Sequence, residues 1–264
     1  MQIGADFTWY PALGYNLDRP VIRNNLKYEL LNVLFNLAAL YSQLAISSAT
    51  NTSEGLKSAA NHFRLAAGVL QHMVGEVLPD LRMSNPPEDL DAYTLGSLAQ
   101  LCLAQAQWCY YERATKDSYK DGLIGKLAAA AADLYDAAGE QAVHSEAISS
   151  AWIHHMSAKQ HWFAAVAQSR TAMDCLEKKR YGEEIARLRD ALNCVGGGLQ
   201  DTKKGRLSGP IVDDLNRLKK KVEGDLQRAE RDNDMVYLSE FHTTLPKDTQ
   251  TLNDRQTPCP QRPS

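Results

Sequence analysis

The sequence predicts an all-α protein, an irregular tetratricopeptide-like helical solenoid or bundle with a short strand near the N-terminus. Alanine and leucine abound, and only 10 prolines and 16 glycines interrupt 264 residues. Long segments also place apolar side chains at helical spacing. The chain has 29 basic and 32 acidic side chains and a net charge of −3, a balance that argues against a nucleic-acid binder.

The N-terminal quarter predicts an extended lead-in and a long apolar helix. Residues 1–25 contain proline, glycine and aromatics in FTWYPALGY and have no helical periodicity. The following segment, KYELLNVLFNLAALYSQLAI, is apolar around most of a helix, which predicts a central position in the fold. Residues 30–53 lack charge and resemble a membrane span in length. Their asparagines and glutamine instead favour burial within protein.

The rest of the chain predicts further antiparallel helices and a polar tail. Thr52 or Ser53 caps a second helix that stops at Pro79. The later helices are predicted from about Thr94, from LIGKLAAAAADLYDAA to Gly139, from about Ser145 to Lys179, from Glu183 to the glycines at 196–198, and from Pro210 onward. We therefore expect one helical domain over residues 1–240. Residues 241–264 are polar, proline-rich and aperiodic, which predicts disorder.

Sequence motifs of catalysis are missing from the chain. There is no GxxxxGK loop, no GxGxxG after a strand, no GxSxG elbow and no HExxH. His154 and His161 share a helical face, but no ExxH carboxylates accompany them. We expect no enzyme activity, no metal and no cofactor, with a metal-dependent helical enzyme as the weakest alternative. Five cysteines without paired spacing indicate a reducing compartment.

A helical hairpin over residues 105–138 is the most informative segment for binding. Tyr110 and Arg113 are three residues apart on one helix, and Leu123 and Leu127 are four apart on the next. A Lys- and Asp-rich turn folds the second helix back beside the first. The resulting apolar patch with a basic rim would suit an acidic amphipathic helix. Periodicity alone favours the other interpretation, in which both leucines are core residues.

Seven segments connect the chain to a known family. They are FTWYPALGY (7–15), VLFNLAALYSQ (33–43), EGLKSAANHFRLAAGVL (54–70), LAQAQWCYYERAT (103–115), KDGLIGKLA (120–128), KKRYGEEIARL (178–188) and RAERDNDMVYL (228–238). Together and in this order they resemble the Bro-one domain of Alix-type ESCRT-associated scaffolds. Within that family they look most like the fungal members that act in ambient-pH signalling.

The resemblance implies a concave patch that binds the C-terminal amphipathic helix of the filament-forming ESCRT-III subunit. Carried over position by position, its apolar contacts fall on Tyr110, Leu123 and Leu127, and its polar rim falls on Lys57 and Arg113. The resemblance therefore implies that the two leucines lie on a binding surface, whereas periodicity alone favours a position in the core. The implied role is a non-enzymatic, cytoplasmic adaptor in alkaline-pH signalling and endosomal sorting, recruited to endosomes or cortical membrane sites.

Two departures from the family pattern set further expectations. The family's domain begins upstream of FTWYPALGY, so we expect a partial domain with apolar surface exposed around residues 30–46. The V domain of full-length members has no counterpart, so YPxL-type motif binding is not expected, and membrane association is expected only through partners. A generic helical peptide-binding scaffold in vacuolar or multivesicular-body sorting stays open as an alternative.

Overall fold

The computed structural model describes residues 4–81, 83 and 86–237. Over these residues it consists of seven α-helices and one two-stranded sheet, which confirms the all-α prediction and the N-terminal strand. The helices are α1 (Leu26–Ile46), α2 (Ser53–His72), α3 (Ala92–Lys116), α4 (Asp121–Ala142), α5 (Ser150–Glu177), α6 (Tyr181–Lys204) and α7 (Pro210–Asp232). Strand β1 (Phe7–Trp9) pairs antiparallel with β2 (Val21–Arg23). The predicted tail, 241–264, lies outside the described residues.

Each helix packs mainly against the helices before and after it in the chain. This sequential packing is the arrangement expected of a helical solenoid. Small side chains fill many of the contacts, and Ala104, Ala128 and Ala131 are fully buried in one core cluster with Phe163. Because alanine lets helix backbones approach closely, the alanine-rich composition supports this layered arrangement.

The start of α5 differs from the sequence prediction by five residues. The helix begins at Ser150, and the Ser149 hydroxyl accepts a hydrogen bond from the Trp152 amide as its N-cap. Ser145, where we expected the helix to begin, instead organises the preceding loop. Its hydroxyl accepts the amides of Ala147 and Ile148, each at 3.2 Å. A serine that caps a turn and one that caps a helix look alike in sequence.

The prediction that glycines 196–198 end α6 is wrong, because the helix continues to Lys204. These glycines allow close packing instead. A Cβ atom at Gly197 would lie 2.5 Å from His161 Nε2, and one at Gly198 would lie 2.9 Å from Leu215 Cδ2. The missing side chains therefore make room for α5 and α7 to approach α6.

Helix α1 is not central, contrary to the sequence prediction. Its buried residues are Tyr28, Leu31, Asn32, Ala38 and Ala45. A second row of apolar side chains, which we call the α1 stripe, is 38–57% exposed and consists of Leu26, Leu30, Val33, Leu37, Leu40 and Leu44. Over the described residues α1 packs chiefly on α2, with smaller contacts to β1 and to the turns at 73–80. The stripe faces away from these neighbours.

Candidate partner-binding patch

The hairpin of α3 and α4 carries three of the five predicted site residues on its apolar surface. A tight turn reverses the chain between the two helices. The amide of Asp117 donates to the Arg113 carbonyl at 2.9 Å, and that of Tyr119 donates to the Ala114 carbonyl at 3.0 Å. Ser118 has a φ of 53°, the left-handed conformation that commonly closes the end of a helix. The turn therefore sets α4 antiparallel to α3.

One hydrogen bond shows which turns of α3 and α4 lie side by side. The Gln107 side-chain amide on α3 donates to the Leu127 carbonyl on α4, with an N–O distance of 3.1 Å. Tyr110 lies about one turn beyond Gln107, and Leu123 lies about one turn before Leu127. Because the helices are antiparallel, these two turns meet at the same level. Tyr110, Leu123 and Leu127 therefore lie at neighbouring levels of the hairpin, and we call these three residues the docking patch.

The two leucines of the docking patch differ in their solvent exposure. Leu123 is 45% exposed, so the interpretation of both leucines as core residues is wrong for this one. Leu127 is half-buried and packs against the cluster that contains Ala128 and Ala131. Tyr110 is half-buried on the other side, against the cluster of Leu56 and Phe63. The patch is therefore an apolar surface anchored in two core clusters.

Basic side chains flank the docking patch. Arg113 Nε lies 3.5 Å from a carboxylate oxygen of Asp117 near the C-terminus of α3, where a cation also favours the helix dipole. Lys57 lies on α2, next to Leu56 of the cluster against which Tyr110 packs. Its ammonium group is 4.0 Å from Glu54, and both side chains are largely exposed. Such an exposed pair is weak, so it does not hold the Lys57 side chain in one position.

Two further lysines, Lys116 and Lys126, differ in their availability. The Lys116 ammonium donates to the Thr50 carbonyl at 2.5 Å and so connects the end of α3 to the loop before α2. Lys126 is exposed on α4 between the two patch leucines in sequence. The positive charge around the patch therefore comes from three successive helices.

The cysteines beside the patch do not supply a nucleophile. Burial raises the pKa of the Cys109 thiol to about 11, and the nearby Glu112 carboxylate adds to the shift. Burial alone raises the pKa of Cys102 to about 12. Since the thiolate is the reactive form, burial disfavours a reaction of either thiol at neutral pH.

His154 and His161 meet at a carboxylate that sequence reasoning missed. His161 Nδ1 lies 3.2 Å and His154 Nδ1 4.0 Å from the oxygens of Asp201 on α6. The Ser157 hydroxyl donates to the same carboxylate at 2.7 Å. In a hydrolytic Ser-His-Asp triad, the serine hydroxyl would instead donate a hydrogen bond to a histidine ring nitrogen. Among the described residues no three His, Cys, Asp or Glu side chains form a metal-binding group. The cluster connects α5 to α6.

Sequence relatives of the chain include fungal pH-response regulators. The pH-response regulator protein palA/prr-1 of Neurospora crassa is 62% identical over 247 residues, which cover 94% of this chain and 29% of the relative. The palA/RIM20 protein of Pyricularia oryzae is also 62% identical, over 90% of this chain and 28% of its own length. The chain therefore spans less than a third of these curated relatives.

Solved structures show the same architecture. The chain resembles the ALIX BRO1 domain in its complex with CHMP4C, with a TM-score of 0.80 and 30% sequence identity over 91% of this chain and 66% of that one. A family model described as a BRO1-like domain matches residues 1–251. This match agrees with the ordered motifs of the sequence and with the helical architecture. The chain belongs to the BRO1-like domain family.

Proposed function

We propose that the chain is an adaptor that binds the C-terminal amphipathic helix of the filament-forming ESCRT-III subunit through the docking patch. One observation carries the proposal: Leu123 is 45% exposed beside two half-buried apolar residues and a basic rim. The solved ALIX BRO1 domain is in complex with CHMP4C, an ESCRT-III subunit, and this supports the same class of partner here.

The surface matches an amphipathic helix in two ways. Leu123 and Leu127 are one turn apart, so a partner helix can set the apolar residues of its own face between them. Lys57, Arg113 and Lys126 lie outside this apolar strip and would meet acidic side chains at the edges of the partner's face. The buried leucine contacts supply most of the affinity, and the exposed charges set orientation and the rate of association.

The biological setting proposed for this binding is ambient-pH signalling together with endosomal sorting. The support is the 62% identity to two fungal pH-response regulators. In this setting the chain acts in the cytoplasm and reaches endosomal or cortical membranes through its partners. It brings ESCRT-III to a signalling complex without catalysing a reaction.

Calorimetric titration of the 264-residue chain with a peptide of the ESCRT-III C-terminal helix tests the proposal. Leu127→Asp places a carboxylate where the partner's apolar face would lie, and it should weaken binding by at least about 2 kcal/mol, roughly 30-fold. Val143→Asp is the matched control. Val143 is 59% exposed at the far end of α4, so its substitution should leave the affinity unchanged.

Two results would contradict the proposal. The first is a folded wild-type chain that does not bind the peptide. The second is a Leu127→Asp chain that binds as tightly as wild type while circular dichroism shows unchanged helix content. Retained binding with altered patch residues would place the peptide elsewhere on the solenoid and favour a generic scaffold.

A further inference from the structure

A cleft between α3, α5 and α7 has a volume of about 310 Å³. Its lining residues belong to these three helices, and none of them is one of the three residues of the docking patch. The cleft also lies away from the α1 stripe. Its volume is at the lower end of the range found for small-molecule sites. The cleft therefore has room for a small organic molecule.

Part of the cleft lining is apolar and aromatic, and includes Tyr111 and Trp162. The two rings meet edge to face, with their centroids 6.2 Å apart. Phe163 packs against both rings, at 5.6 Å from Tyr111 and 4.8 Å from Trp162. Rings that are held in this way give the apolar ring of a ligand a fixed surface to pack against.

Three cations complete the lining of the cleft. Arg170 comes from α5, and Arg217 and Lys221 come from α7. Lys221 is exposed and forms no ion pair with a described residue. Arg217 lies 2.7 Å from Asp214, which is the carboxylate of the lining. Three cations and one carboxylate leave the lining with a net charge of +2, which favours an anionic ligand.

Arg170 and Tyr111 bring hydrogen-bond donors to the cleft. The Arg170 Nη1 atom lies 2.8 Å from Asp121, which is outside the lining. A guanidinium has five N–H donors, so this pair leaves others for a ligand. Burial raises the pKa of the Tyr111 phenol, and the nearby Arg170 charge lowers it in part. The phenol therefore keeps its proton at neutral pH and is able to donate.

We propose that the cleft binds a small organic phosphate monoester that carries an apolar ring. Such a phosphate has a charge of about −1.5 to −2 at neutral pH, which matches the charge of the lining. Its oxygens accept from Arg170 and Arg217 and pair with Lys221, and its ring packs against Trp162. A carboxylate has a single negative charge and compensates this lining only in part.

NMR of the tryptophan indole N–H groups tests the proposal on the 264-residue chain, with phenyl phosphate as the probe. The Trp162 signal should shift as phenyl phosphate is added, with the millimolar affinity typical of so small a ligand. Trp9, Trp108 and Trp152 lie outside the cleft lining and are internal controls. Inorganic phosphate lacks the ring and benzoate lacks the second charge, so each should bind at least about tenfold more weakly.

Two neighbouring lysines separate a built site from general charge attraction. Lys220 and Lys221 are both exposed, but only Lys221 lines the cleft. Lys221→Glu should weaken phenyl phosphate binding at least about tenfold, because it places a carboxylate beside the phosphate. Lys220→Glu changes the net charge of the chain by the same amount and should leave the affinity within about twofold of wild type. Circular dichroism checks that both variants keep their helix content.

Three results would overturn the proposal. One is a Trp162 signal that does not move with phenyl phosphate. Another is an equal loss of affinity in the two folded lysine variants, or equal binding of inorganic phosphate, since either would reduce the effect to general attraction of anions. The third is a Trp162 signal that shifts with the ESCRT-III peptide and a phenyl phosphate that the peptide displaces, which would make the cleft part of the peptide-binding surface. Because the cleft and the docking patch share no residue, the failure of one proposal leaves the other intact.

Discussion

The docking patch and the α1 stripe both expose leucine, but their surroundings differ. The patch has one strongly exposed leucine, two half-buried apolar anchors and cations from three helices. The stripe has six exposed apolar residues and no charge over its central and C-terminal parts. A small apolar surface with a charged rim suits a partner that is selected by charge and released again. The uncharged α1 stripe has no such rim and so offers no charge by which a partner could be selected.

Crossed substitutions give the largest effects and separate the two surfaces. Leu127→Asp should weaken peptide binding by at least about 2 kcal/mol. Leu37→Asp should leave the peptide affinity unchanged, because the α1 stripe is not part of the docking patch. Titration calorimetry measures both affinities, and circular dichroism checks that both variants keep their helix content. A folded Leu37→Asp chain that bound the peptide as weakly as Leu127→Asp would mean that the two surfaces are not independent.

Gln107 offers a smaller test, restricted to the docking patch. Gln107→Leu removes the hydrogen bond to the Leu127 carbonyl and should reduce the free energy of unfolding by about 0.5–1.5 kcal/mol. Peptide affinity should fall less than in Leu127→Asp, because the substitution acts only through the position of α4. Urea unfolding monitored by circular dichroism gives the stability change. A loss of affinity as large as that of Leu127→Asp would mean that Gln107 contacts the peptide directly.

Lys57 gives the smallest expected effect and tests the role of charge. Lys57→Glu should weaken peptide binding by about 1 kcal/mol or less and slow association more than it speeds dissociation. It should also reduce the dependence of affinity on salt, since an attractive positive charge is replaced by a repulsive negative one. Stopped-flow fluorescence at two salt concentrations measures the rates. An association rate equal to that of wild type would place Lys57 outside the contact with the peptide.

The last helix shows what periodicity predicts well. Apolar residues recur at helical spacing along α7, and Pro210 occupies its first turn. Four of these residues are buried and two are partly buried: Ile211, Leu215, Val222 and Ala229, and Leu218 and Leu226. These side chains are buried because α7 packs against both α6 and α5. The same argument from apolar composition gave a wrong prediction for α1. Apolar residues all around a helix indicate that its faces are suited to burial, but they do not identify the segments that would bury them. Sequence alone does not say whether that cover belongs to the same chain.

Contacts between distant segments explain the other differences. The glycines at 197 and 198 were predicted to end a helix, but their role depends on His161 and Leu215, which approach from α5 and α7. Asp201 joins His154 and His161 from 40 or more residues away, and Gln107 reaches the Leu127 backbone across a hairpin. The residues of the docking patch were predicted from the resemblance to the family. Helical spacing alone favoured a core position for both of its leucines.

Methyl NMR of leucine-labelled chain, recorded while the ESCRT-III C-terminal peptide is added, tests the separation of the two surfaces most directly. The account predicts that the methyl signals of Leu123 and Leu127 shift in proportion to bound peptide. Those of Leu30, Leu37 and Leu40 should stay constant throughout the titration. Peptide-dependent shifts along α1, with unchanged signals at Leu123 and Leu127, would contradict it.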